Sequence, residues 1–274
     1  VTIRNTALLT DQYELTMVSA ALRHPVAHRQ CVFEVFARRL PDGRRYGVVA
    51  GTSRILDELA DFRFGDDEIA VVERFLDAET VEWLRGYEFT GDIDGYREGE
   101  LYFPGSPILT VEGTFAEAVI LETLALSVLN YDSAVATAAA RMSIAAGERP
   151  LSEMGSRRTG ERSAIAAARA AYIAGFGATS NLEAGRTWGV PTMGTAAHAW
   201  TLLHDDELSA FRSQIAALGT DTTLLVDTYD IARGVEHAIE AGGTGLGGVR
   251  IASTDAASRV LETSHPPTYY LPRE

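Results

Sequence analysis

The chain has 274 residues, 46% hydrophobic and 23% charged, with a formal net charge of −14. This is the composition of a folded globular protein, long enough for one large α/β barrel or two ordinary domains. It argues against non-specific nucleic-acid binding, which needs a basic face to neutralise phosphates.

The first residues, Val1-Thr2-Ile3-Arg4-Asn5, lack a basic segment followed by an apolar one, so no signal peptide is expected. Asp11 to Leu22 reads as a helix with Leu15, Val18 and Leu22 on one stripe, capped by Thr10 or Asp11. Cys31 to Ala37 is strand-like. Cys31 is the only cysteine; it excludes an intramolecular disulfide, fits a reducing cytoplasm and reads as a buried structural thiol. Leu40-Pro41-Asp42-Gly43 is a turn. Glu68 to Leu84 holds two short helical patterns, and Thr90 to Val111, rich in Gly and Pro, suits several short strands.

The character changes near Phe115. Residues 115–146 are rich in Ala, Leu, Glu and Val, which favours long buried helices, with Ala134, Ala136, Ala138, Ala139 and Ala140 allowing close packing. The stretch Ala116 to Tyr131, broken by Glu117 and Glu122, is too short and too charged to span a membrane. From about residue 150 a strand–helix rhythm begins. Strand-like pieces lie near Leu151–Met154, Ala178–Asn181, Pro191–Gly194, Thr222–Val226 and Gly248–Ile251, with helical stretches at Glu161–Phe176 and Glu207–Leu218. That alternation predicts a parallel sheet or barrel, whose functional groups gather at the C-terminal ends of strands.

Polar clusters fall at those ends. Gly155-Ser156-Arg157-Arg158-Thr159-Gly160 offers two guanidiniums to a carboxylate or phosphate, or is a solvated turn. All 24 basic residues are Arg, so no lysine chemistry is open, whereas an arginine cluster can still bind an anion inside an acidic protein. Gly194-Thr195-Ala196-Ala197-His198 places a histidine suited to proton or phosphoryl transfer after a small-residue turn; a packed histidine is the plain alternative. Val226-Asp227-Thr228-Tyr229-Asp230 ends a strand in carboxylates and hydroxyls, able to hold a ribose or magnesium-bound phosphates, or simply to cap a helix. Gly242 to Gly248 precedes a strand and reads as a loop, not a phosphate cradle.

Taken with Thr10-Asp11-Gln12-Tyr13-Glu14-Leu15-Thr16-Met17, Phe33 to Pro41 and Thr179-Ser180-Asn181, these clusters resemble nicotinate phosphoribosyltransferases, in that family's order, over roughly residues 7–251. The resemblance implies an α/β protein: an N-terminal α+β domain over residues 1–114 beside an irregular, incomplete α/β barrel over 115–251, of the type II phosphoribosyltransferase kind. It implies a homodimer that joins nicotinate to 5-phosphoribosyl 1-diphosphate, with ATP and Mg2+, giving nicotinate mononucleotide for NAD synthesis; with the single cysteine, a cytoplasmic location is expected. By the same resemblance His198 is the histidine that ATP phosphorylates, Tyr13 stacks on the nicotinate ring, and Thr195 lines the nicotinate pocket. Arg157 holds the nicotinate carboxylate or a phosphate, Arg250 binds ligand at a strand end, and Asp227 places the ribose or the magnesium-bound diphosphate.

The pattern departs after Ile251. The family's Asp-Ser-Gly-Asp turn is replaced by Ala252-Ser253-Thr254-Asp255, and residues 252–274 read as a divergent, unstructured tail. A barrel cut before closure leaves strand edges and half a phosphate site unmatched. A non-catalytic remnant that dimerises or binds nicotinate is therefore the alternative expectation, and a relative using nicotinamide or quinolinate is a third.

Overall fold

The computed structural model describes residues 5–250 and, beyond them, two short strands at 258–262 and 265–270, with side chains described through residue 249. It divides into two compact units, Val1–Thr192 and Met193–Glu274.

The first unit opens with α1 (Gln12–Leu22), which buries Leu15, Val18 and Ala21. The expected cap is corrected. Asp11 occupies the cap position without a side-chain bond, and the Thr10 hydroxyl turns instead to Glu14 and to the Ile120 carbonyl, 3.1 Å away. Glu14 is itself wholly buried and accepts from the Thr123 amide at 3.0 Å. That amide lies in the first turn of a later helix that has no cap of its own, so Glu14 satisfies an otherwise orphaned donor.

Three antiparallel strands follow in the order β1 (Gln30–Phe36), β5 (Pro107–Thr114), β3 (Asp92–Gly95). Phe33 and Ile93 both sit opposite Val111, which fixes the inward face. Cys31 shares that face but is only half-buried, because β1 lies at the sheet edge. The small pair β2 (Gly47–Val48) and β4 (Leu101–Tyr102), with α2 (Thr52–Ala60), α3 (Asp66–Val72) and α4 (Ala78–Arg85), completes this part. The free side of the β2 segment is satisfied by hydroxyls: Thr137 accepts from the Val48 amide at 2.9 Å and Ser133 from the Ala50 amide at 3.2 Å.

The compositional change at Phe115 marks the start of α5 (Phe115–Val119) and then α6 (Glu122–Ala146). The 25-residue α6 serves two clusters. Leu124, Val128 and Leu129 pack with α1 and β5, while Val135 and Ala136 meet Val48, Ala50 and Ala170. Alanines thus let α6 lie close to α7 (Glu161–Ile173). Two ion pairs sit in this region: Arg54 on Asp132 at 2.8 Å, and Arg169 on Glu98 at 2.6 Å. Glu98 also accepts from the Gly51 amide.

The unit closes with β6 (Ser152–Glu153) parallel to β7 (Ala178–Thr179), and with α8 (Leu182–Trp188). The strand expected at Pro191–Gly194 is reduced to one bridge, Thr179 to Thr192. Pro191 has no amide hydrogen and Gly194 no side chain, so neither supports a ladder.

The second unit contains α9 (His198–Leu202), α10 (Glu207–Leu218), β8 (Thr223–Leu225), α11 (Ile231–Gly242), a 3-10 turn at Gly243–Gly245 and β9 (Gly248–Arg250), which runs parallel to β8. Phe211, Leu224, Val226 and Ala238 form its core. The tail read as unstructured holds an antiparallel pair, β10 (Ser258–Glu262) and β11 (His265–Tyr270). Val260, Thr268, Tyr269 and Tyr270 are strand formers, and the register shift between Val260 and Glu262 accommodates Pro266-Pro267. Residues 251–257, including the Ala252 to Asp255 departure, lie outside the described residues.

Candidate functional site

In the second unit, β8 delivers the apolar run Leu224-Leu225-Val226 to the interior, all three buried, and the chain then turns out through Asp227 and Thr228. Asp230 caps α11 by accepting from the Arg233 amide at 2.8 Å, so the capping reading of this cluster falls on Asp230. His198 is the first residue of α9 and its side chain is half exposed. Its Nδ1 lies 3.3 Å from Thr228 Oγ1 and its Nε2 lies 4.0 Å from Asp227 Oδ1. That Asp227 oxygen is buried and has no hydrogen-bond partner among the described residues. A buried acceptor left so costs roughly 1–3 kcal/mol, a demand for a donor or cation at this place.

The arrangement suits a nucleophile or proton carrier. If Nδ1–H donates to Thr228 Oγ1, Nε2 keeps its lone pair, 4.0 Å from Asp227 Oδ1. If Thr228 donates to Nδ1, Nε2 carries the proton and faces Asp227. Thr195 lies in the segment before α9, partly buried, with its hydroxyl 3.3 Å from the Ala196 carbonyl. Arg250 ends β9 opposite Leu225 in the parallel register, two residues before Asp227; its side chain lies outside the described residues.

The other candidates belong to the first unit. Arg157 follows β6 on the Gly155–Gly160 loop, exposed and without an ion-pair partner among the described residues. Tyr13 is 46% exposed on α1. Partial burial, with the Glu122 carboxylate beside it, pushes its phenol above the ordinary value. The structure therefore gathers His198, Asp227 and Thr228, with the Arg250 backbone nearby, and presents Arg157 and Tyr13 separately on the first unit. Thr228 was visible only as one hydroxyl among several in its motif. Glu153, beneath the arginine loop, carried no sequence signal beyond its position two residues before Gly155.

Residues 8–130 match the family model described as nicotinate phosphoribosyltransferase N-terminal domain. Over 254 residues, 90% of this chain and 57% of the relative, the sequence is 63% identical to nicotinate phosphoribosyltransferase pncB1 of Mycobacterium tuberculosis. Over that stretch the chain belongs to the nicotinate phosphoribosyltransferase family. The Bacillus subtilis nicotinate phosphoribosyltransferase is 38% identical, across 85% of this chain and 48% of its own length. Among solved structures, human nicotinic acid phosphoribosyltransferase superposes with a TM-score of 0.79 at 29% identity, across 90% of this chain and 61% of that one. The fold is thus the mixed α/β architecture of the type II phosphoribosyltransferases. The chain spans about half the length of the curated family members it matches. Residues 243–274 match a different family model, described as a domain of unknown function, DUF427.

Proposed function

We propose that the chain is a cytoplasmic, homodimeric nicotinate phosphoribosyltransferase, forming nicotinate mononucleotide from nicotinate and 5-phosphoribosyl 1-diphosphate in NAD synthesis. The 63% identity to a family member named for that activity carries the reading. The local geometry supports it. His198 has one ring nitrogen beside the Thr228 hydroxyl and the other without a hydrogen bond among the described residues, as a residue accepting a phosphoryl group from ATP requires. In that step the nitrogen left without a hydrogen bond attacks the γ-phosphorus, the bond to ADP breaks, and water later releases phosphate. Thr228 orients the ring. Arg157 and Tyr13 supply a carboxylate clamp and an aromatic face for nicotinate.

The described residues contain no group of three or more His, Cys, Asp and Glu able to hold a metal. Magnesium bound mainly through phosphate oxygens needs only one or two carboxylates, and the orphaned Asp227 oxygen fits such a contact. When bound, the ion neutralises diphosphate charge; Asp227 would help to hold it.

A second reading, nicotinate binding without turnover, is favoured by the change of family match over residues 243–274. A substrate panel tests the assignment. Purified chain with the phosphoribosyl donor, ATP and magnesium is offered nicotinate, nicotinamide and quinolinate in turn. Product from nicotinate alone supports the proposal; preference for either other base contradicts it.

A further inference from the structure

The loop carrying Arg157 is tied down by a carboxylate, and we propose that Glu153 is the positioning residue that sets the shape in which Gly155–Gly160 presents Arg157 to an anion. The anion's identity as nicotinate rests on the proposed reaction; the geometry does not. Glu153 ends β6, its backbone paired with Thr179 of β7. One carboxylate oxygen folds back to accept the Gly155 amide hydrogen, and the other accepts from the Thr179 hydroxyl at 2.7 Å. Thr179 is wholly buried, so this anchor is fixed, and its oxygen also accepts the Asn181 amide at 3.0 Å. Asn181 continues the chain of bonds. Its side-chain amide donates to Ser156 Oγ at 3.0 Å while its carbonyl oxygen caps α8 through the Ala184 amide at 2.9 Å. Arg158 N–H closes the turn on the Gly155 carbonyl at 2.8 Å. Gly155 and Ser156, just before Arg157, are therefore held from the ends of β6 and β7, and Arg158 after it is tied back to Gly155.

Two observations set this apart from an ordinary loop contact. A carboxylate four residues from a guanidinium would ordinarily be expected to neutralise it. Here both Glu153 oxygens go to the loop backbone and the strand hydroxyl, and Arg157 makes no ion pair among the described residues. The glycine at 155 leaves room for this. A Cβ there would stand 2.8 Å from Glu153 Oε1, displacing the carboxylate from the amide it accepts. Bonds to an ionised acceptor are about twice as strong as neutral ones, so the tie is directional and firm.

The test uses the whole chain with Glu153→Ala, Glu153→Gln, Arg157→Ala and the double variant Glu153→Ala/Arg157→Ala. Amide hydrogen exchange across residues 155–158 is expected to rise roughly tenfold or more in Glu153→Ala. Glu153→Gln, which keeps one acceptor and gives Thr179 a donor in exchange, is expected to restore most of the protection. Nicotinate affinity, read by calorimetry, is expected to weaken about tenfold in Glu153→Ala. Against an Arg157→Ala background the same change is expected to do nothing further. Unchanged exchange in Glu153→Ala overturns the proposal, as does an equal loss of affinity with Arg157 absent. If the unaltered chain does not bind nicotinate, the proposed reaction fails, and the exchange result alone decides the role of Glu153.

Discussion

His198 has two polar neighbours, Thr228 at one ring nitrogen and Asp227 near the other. Replacing it by Ala is expected to reduce the rate with ATP to the rate without it, because the phosphoryl acceptor is gone. The side chain is half exposed, so stability should change by no more than about 0.5 kcal/mol. Steady-state rates with and without ATP, alongside a thermal melt, check both halves; retained ATP stimulation contradicts the role. A second residue-scale expectation concerns Asp132. It is 1% exposed, and burial, opposed by Arg54, pushes its carboxyl up to about 6 from 3.8. The folded chain then holds a proton that the unfolded chain releases, so the associated stability is present below about pH 4 and is lost as pH rises through about 6. Relative to Asp132→Asn, the native chain should lose stability over that window, by at most about 3 kcal/mol. Denaturant midpoints at pH 4, 5, 6 and 7 measure the gap; a gap independent of pH contradicts the shift.

At the scale of elements, Gly234 shows how packing sets the site. It sits on α11, where an added Cβ would stand 2.3 Å from the Val226 carbonyl oxygen, one residue before Asp227. Overpacking of this kind costs roughly 1–3 kcal/mol, against about 1 kcal/mol that Ala gains over Gly within a helix. Gly234→Ala is therefore expected to destabilise by about 1 kcal/mol and to shift the strand end that carries Asp227. Urea unfolding checks the first effect, and an equal or higher midpoint refutes it. The same glycine explains what the sequence concealed. The α10 helix was legible end to end because Glu207–Leu218 lies between a capping aspartate, Asp206, and Gly219. The α11 helix was not, because Gly234 and Gly242 lower its helical signal while serving close approach. The β2 strand is two residues long, too short for any alternation to show. Motif residues at strand ends could be read individually. The Glu153 to Asn181 chain of bonds could not, since it exists only once β6 and β7 lie side by side.

For the molecule as a whole, resemblance and structure agree on the family and the mixed α/β fold, with 63% identity to one member and a TM-score of 0.79 against a solved one. The same comparisons show a chain about half as long as those relatives, whose residues 243–274 match another family model. Catalysis needs the nucleophile, the anion clamp and the donor site held together, because misplacement by about 1 Å can cost 10²-fold. The decisive measurement is nicotinate mononucleotide formation by purified chain of verified mass 29.6 kDa, supplied with nicotinate, phosphoribosyl donor, ATP and magnesium. Product formation that rises with ATP is the predicted result. A cooperatively folded chain of that mass that yields no product would contradict the assigned activity.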